Sequence, residues 1–184
     1  MTKTIKTKIY SYGLIAIATI ASLACATTKS IPTLKGSYVD APYTIKTTSS
    51  YDQVWSKLID LFATKGIAIK IIDKSSGLIT SEPVSFSNSY ATENSKGEIS
   101  SKKAFVVIPK ITDGLGRVLE PNSVSGDWNV RIKATEGGTT INVNLVNLKC
   151  FVITPPSQYS KGYSTDYPIK STGVFEQLIS DDIK

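Results

Sequence analysis

Histidine is absent from this chain of 184 residues, and cysteine occurs twice, at Cys25 and Cys150. The first absence removes the commonest general acid–base group and the commonest metal ligand. It excludes Ser-His-Asp and Cys-His catalysis by the chain's own side chains. The second limits any intrachain disulfide to a single pairing. Long apolar runs are also lacking. The longest spans residues 13–24 (GLIAIATIASLA), which as a helix covers roughly 18 Å, against the roughly 30 Å of a bilayer core. Twelve residues are too few to span a membrane, but they match the apolar core of a signal peptide. Charge of one sign is scarce as well. The 21 basic and 15 acidic residues leave a net +6, but Lys3, Lys6 and Lys8 supply half of that excess. Without them, 18 basic residues face the same 15 acidic ones. Lys102 and Lys103 form the one adjacent basic pair. An excess this small and this scattered is not the footprint of a nucleic-acid binder, so no nucleic-acid partner is expected.

The three early lysines precede the apolar run, which ends in Ala21-Ser22-Leu23-Ala24-Cys25. Small residues before a cysteine, behind a short apolar core, resemble the lipobox of bacterial lipoproteins, with Ser22 where that family usually has leucine. The resemblance implies cleavage between Ala24 and Cys25 and lipid attachment at Cys25. Two or three acyl chains hold a protein on a membrane, because each buried methylene contributes about 0.8 kcal/mol. Ala26 rather than an acid follows the cysteine, which by resemblance to enterobacterial sorting implies the outer membrane, facing the periplasm. With Cys25 lipidated, Cys150 has no intrachain partner. Its neighbours Leu148, Phe151 and Val152 point to a buried thiol, with a disulfide-linked dimer as the alternative.

Residues 1–24 are thus expected to be a signal peptide, 25–41 a lipidated tether, and 42–184 a single domain. In 43–48, Tyr43, Ile45 and Thr47 alternate with polar residues as a strand does. Ser50 and Gln53 then fit a capping box in front of the clearest helix, where Val54, Trp55, Leu58, Leu61 and Phe62 share one face and Gly66 closes the C-terminus. Residues 67–73 alternate as a strand with Ile67, Ile69 and Ile71 on one face. A turn over 74–77 returns the chain along 78–84. Residues 84–103, rich in serine, read as a long loop, and 104–108 as a short buried strand stopped by Pro109. A strong hairpin follows: Trp128, Val130, Ile132 and Ala134 on one face, a Gly137–Gly138 turn, then Ile141, Val143 and Leu145. After Leu145 the apolar phase moves to Val146, Leu148, Cys150 and Val152. One extra residue flips side chains to the other face, so a bulge is expected near 145–146. Residues 154–170 read as a loop rich in tyrosine and proline. Phe175, Leu178, Ile179 and Ile183 mark a closing helix capped by Ser171 or Thr172. The expected class is α+β: an antiparallel sheet of five or six strands with two helices on one face.

Residues 49–82 (SSYDQVWSKLIDLFATKGIAIKIIDKSSGLITSE) are similar to the domains of the BamC (NlpB) family of envelope lipoproteins, accessories of outer-membrane protein assembly. The shared features are a helix with Val54 and Trp55 near its start, then Gly66, a strand, Asp73, and Gly77-Leu78-Ile79. The resemblance implies a helix-grip fold and carries function only weakly, because the matching positions are core and turn residues.

No motif marks a catalytic, cofactor-binding or metal-binding residue. Asp73 with Gly77 reads as a hairpin turn, Asp181 and Asp182 as a solvated helix face, and the Ser-x-x-Lys spacing from Ser100 to Lys103 as coincidence, since it lies outside any helix. Trp55 and Trp128 fall at core phases. Tyr159, Tyr163 and Tyr167, spaced by four, either contact a partner, as interface tyrosines do, or cover a sheet edge. The expected function is a non-enzymatic, membrane-anchored module for protein interaction or assembly, with an envelope protein as partner and the segments 84–103 and 154–170 as contact surface. The alternative is a module binding lipid or another small molecule in a cavity between helix and sheet.

Overall fold

A computed structural model describes residues 31–156 and 161–183. The first strand, β1 (Tyr43–Thr47), leads into helix α1 (Tyr51–Lys65). Ser50 accepts from the Gln53 amide while the Gln53 side chain accepts from the Ser50 amide, so the capping box is complete. The helix closes on Gly66, whose φ of 64° is left-handed. Here Gly66 N–H donates to Ala63 and Ile67 N–H to Phe62, the paired closing bonds of a Schellman motif.

That closure explains why the next strand is shorter than its alternation suggests. Ile67 N–H is committed to the helix, and β2 begins only at Ile71 (Ile71–Asp73). It pairs with β3 (Leu78–Thr80) at the edge of the main sheet, and this edge position leaves both Ile71 and Ile72 exposed. In the turn between them Asp73 accepts from the Ser75 and Ser76 amides. Hydrogen bonds from the Ser75 and Ser76 side chains and amides hold its carboxyl down at about 2. Gly77 is required there: with φ at 70°, a Cβ would lie 2.1 Å from the Ile132 carbonyl oxygen.

The expected loops are partly strand. Within 84–103 lie β4 (Val84–Ser85) and β5 (Tyr90–Glu93), and 154–170 contains β9 (Tyr163–Tyr167). Short polar strands have too few apolar residues to show a period, and the partner of β4 lies some forty residues away, Val84 opposite Gly126. The remaining elements are β6 (Val106–Pro109), the long strands β7 (Ser123–Thr135) and β8 (Gly138–Thr154), β10 (Lys170–Ser171) and α2 (Val174–Ile183). Pro109 is the last residue of β6, not its boundary. The first carbonyl of α2 belongs to Gly173, which accepts from Gln177. Ser171 and Thr172 lie just before it. Their hydroxyls accept from the Gly173 and Val174 amides at the helix start, while Ser171 donates to Glu176 and Thr172 to the Ala104 carbonyl.

Among the described residues the fold is α+β, with two helices and an antiparallel sheet of seven strands rather than five or six. Its path runs β1-β8-β7-β3-β2, with β4 added on β7 and β9 on β8. Ile45, Ile79, Trp128, Val130, Ile132, Ile141 and Val143 are buried on one face, where α1 packs on β7 and β8, and α2 packs on α1 and β1. A second sheet, β10-β6-β5, has β5 and β6 parallel.

The bulge lies two residues beyond its expected place. Asp127 pairs with Val146 and Ser125 with Lys149, so Gly126 faces both Asn147 and Leu148. Asn147 takes the left-handed conformation, φ 52°. Before it Ile141, Val143 and Leu145 are buried; after it Cys150 and Val152 are. The phase slip in the sequence is this extra residue. Leu148 settles over Gly126, where an added Cβ would be 2.6 Å from Leu148 Cδ2.

Val124, Cys150, Val152 and Tyr167, beyond the bulge, join one core cluster with Val106, Ile108 and Ile111 of the smaller sheet and its extension. Trp128 is the junction. Its ring lies 4.8 Å from Phe62 of α1 and 5.9 Å from Phe175 of α2, and Phe175 meets Phe105 edge-on at 5.8 Å. Centroid separations in this range are attractive beyond simple burial.

Candidate functional site

Between the end of α1, the 83–86 segment and α2 lies an apolar cleft of about 550 Å³. Its floor is Phe86, Trp128 and Phe175, the aromatic junction of the core. Ile67, Val84, Phe105 and Leu178 form the walls, and Lys65, Ser85 and Ser89 add polar groups. The Schellman closure of α1 turns Gly66, Ile67 and Ala68 along one side. Pairing of β4 with β7 holds Val84 on the other, and the Phe86 amide bonds to the Val124 carbonyl. The volume falls within the roughly 300–1,000 Å³ of small-molecule pockets. With no titratable pair facing it, this lining can bind apolar matter but supplies no acid–base chemistry. The cleft was legible only in fragments. Val84 and Phe86 alternate within a serine-rich stretch, but nothing local says that they face Leu178.

A second feature holds residues that were expected to be tether. Glu93, at the end of β5, is 3% exposed. Its carboxylate accepts from the backbone amides of Lys35 (2.6 Å) and Gly36 (2.9 Å) and from the Tyr38 hydroxyl. Lys35 Nζ donates to the Ser95 carbonyl, and Val39 bridges to Ser171. Residues 35–39 therefore belong to the folded domain, which begins earlier than residue 42. Burial pushes the Glu93 carboxyl up, but the bonds from Tyr38, Lys35 and Gly36 together outweigh it and hold the group below the usual glutamate range. The same neighbour and burial push the Tyr38 phenol up to about 12. Sequence reasoning missed Glu93 because a glutamate in a polar stretch looks solvated until a neighbouring segment covers it.

Glu176 contrasts with it. Buried on α2, it accepts from Ser171 Oγ at 2.7 Å. Desolvation outweighs the bonds from Ser171 and from its own backbone amide, and its carboxyl is pushed up. Cys150 is a buried free thiol, pushed up to about 11 by burial and by Asp166, so thiolate chemistry is suppressed.

The expected tyrosine surface does not form as a unit. Tyr163 is 40% exposed, whereas Tyr167 is 7% exposed and belongs to the core, because its register opposite Cys150 turns it inward. Tyr159 and Cys25 lie outside the described residues. Ser100 exchanges backbone and side-chain bonds with Thr92 in a turn, not at a helix start. Among the described residues there is no cluster of acidic or cysteine ligands fit for a metal, and no helix is long and apolar enough to cross a membrane. Compared with known proteins, the sequence matches no family model and none of the curated proteins.

Proposed function

We propose that this chain is an exported lipoprotein, anchored by lipid on Cys25 at the outer membrane, whose domain binds the acyl part of an amphiphile without catalysis. The cleft between α1, 83–86 and α2 carries this reading: it is apolar, of ligand size, and has Lys65 on its lining to meet an anionic head. A membrane-anchored protein is supplied with such molecules by its surroundings. The sequence signals at 1–25 support the anchor, and the absence of histidine argues against hydrolysis of what is bound.

Trp128 on the cleft floor offers a direct test. Brominated fatty acid added to the mature chain carrying Cys25→Ser should quench tryptophan emission saturably. Ala68→Trp, at an exposed position on the wall, should fill the cleft and weaken binding at least tenfold. Quenching that never saturates, or tight binding that survives Ala68→Trp, would sink the proposal.

A second reading is the protein-interaction or assembly module expected from the BamC-like segment. The observation favouring it is the exposure of Ile153 (50% exposed) on one face and of Tyr163 on the other, on adjoining strands at the loop end of the β8–β9 pairing. Here Ile153→Ser with Tyr163→Ser should release an envelope protein that co-purifies with the lipidated chain. Unchanged recovery would remove this surface from consideration.

A further inference from the structure

The parallel strands β5 and β6 both end at one edge of the smaller sheet. Beyond β5 comes the 94–97 turn, and beyond β6 a hairpin closed by the Thr112–Val118 bridge and the Leu119 to Ile111 bond. The Lys110 amide bonds to the Glu93 carbonyl, so this hairpin is rooted beside the carboxylate that clasps residues 35–38.

The hairpin buries Ile111 at its base but displays apolar residues toward its tip. Leu115 is 80% exposed at the tip and Val118 49%. The tip is held firmly: Asp113 Oδ1 accepts from the Leu115 and Arg117 amides at 2.8 and 2.9 Å, and Arg117 Nε meets Asp113 Oδ2 at 2.6 Å. A leucine fixed in water by its own turn is displayed at a cost in hydration, which a partner of low polarity would remove.

The charges nearby favour an anionic surface. Lys35, Lys96 and Lys110 are exposed here. Of the acids, Glu93 is buried, Asp113 is paired with Arg117, and Glu120 is drawn toward Tyr90 at the start of β5, which leaves Glu98, bonded to Asn94, as the exposed acid against the three lysines. The covalent path points the same way. Five residues separate Cys25 from Ile31 in sequence, a span that reaches at most about 20 Å, and Lys35 is clasped only four residues further on.

From this juxtaposition of a short anchored lead, a basic rim and a rigid apolar tip, we infer that the end of the smaller sheet rests on an anionic lipid surface with Leu115 inserted at the headgroup boundary. The inference rests on lipid attachment at Cys25. The domain is then held in one orientation, with the β7–β8 turn pointing away from the bilayer.

The test places an environment-sensitive nitrobenzoxadiazole dye on Leu115→Cys, or on Glu136→Cys in the far turn, in the full chain reconstituted into phosphatidylcholine–phosphatidylglycerol vesicles. Cys150 is buried and lipid blocks Cys25, so the introduced thiol takes the label. The expected result is a several-fold rise in emission at 115, quenched by spin-labelled lipid, with no change at 136. Mass spectrometry of the mature N-terminus separates the two readings. With lipid on Cys25 and a water-like signal at 115, the surface is overturned and the anchor stands. If Cys25 carries no lipid, the anchor is overturned, and the chain carrying Cys25→Ser is labelled at 115 and mixed with the same vesicles. No rise at 115 then overturns the surface too, while a rise upholds it. A rise that is equal with purely zwitterionic vesicles overturns the role given to the basic rim.

Discussion

The long β7–β8 hairpin is covered twice, by different means, and the bulge at Asn147 divides the two halves. On the turn side of the bulge, α1 and α2 lie over Val130, Ile132, Ile141 and Val143. On the open side, Val124, Cys150 and Val152 share the core with Val106, Ile108 and Ile111, from the smaller sheet and its extension. Helix cover comes from local sequence, because one amphipathic face contributes five buried residues within a fifteen-residue element. Sheet cover is assembled from segments distant in sequence: β5 and β6, β10, and the strap of residues 35–39. One half is therefore held by apolar periodicity, and the other depends on specific polar bonds at its margins.

The most severe way to break this division is to remove what joins the halves. Trp128→Ala deletes the ring touching Phe62 and Phe175 and should cost about 3–5 kcal/mol, the usual range for a buried aromatic. Urea denaturation should show a large fall in midpoint. A midpoint within error of the parent would mean that the halves are stable without the junction.

Next comes the clasp. Glu93→Gln removes the charge from a carboxylate with three donors, and about 1–3 kcal/mol should be lost. The effect belongs to the sheet-covered half, so tryptic cleavage at Lys35 should accelerate before global unfolding changes. The pH dependence follows from the depressed carboxyl. Its stabilisation is complete above the unfolded glutamate value of about 4.3 and is lost as pH falls through the lower folded value. Gly126→Val probes the boundary itself. Its side chain must displace Leu148, and overpacking of this kind costs about 1–3 kcal/mol. Loss of amide-exchange protection at 146–149 ahead of 141–145 would place the damage at the bulge.

The smallest effect, of opposite sign, is expected at Glu176 in the helix-covered half. Its raised carboxyl favours folding when protonated, so its contribution is present below the unfolded value and lost as pH rises through the folded one. Glu176→Gln keeps an acceptor for Ser171 and removes the buried charge. It should be neutral, or stabilising by up to about 1 kcal/mol at pH 7, and the gain should vanish in mild acid. A loss as large as that of Glu93→Gln would erase the contrast between the two carboxyls.

What was legible follows the same division. The α1 capping box, Gly66, the tryptophans as core and the phase slip in β8 were all readable, because helix and hairpin periods are local. The shortened β2 was not, since the helix closure took the Ile67 amide from the ladder. Nor was the smaller sheet beyond its buried strand β6, because β5 and β10 are brief and the parallel β5–β6 pair needs a connection of more than a hairpin turn. Of the expected contact tyrosines, Tyr167 proved to be core because register, not spacing, chose its direction.

The sequence by itself determined the exclusion of histidine chemistry and the two helices with the central hairpin, and the anchor proposed at Cys25 rests on it alone. Each rests on composition or on contacts between residues close along the chain. The tertiary structure alone decided that Glu93 is a buried clasp, that Leu115 stands out in water, and that Ile67, Val84 and Leu178 face one another across a cleft. Those outcomes depend on which distant segments come together and on what water they exclude. Desolvation and pairing are properties of the folded neighbourhood, not of a residue or its near neighbours.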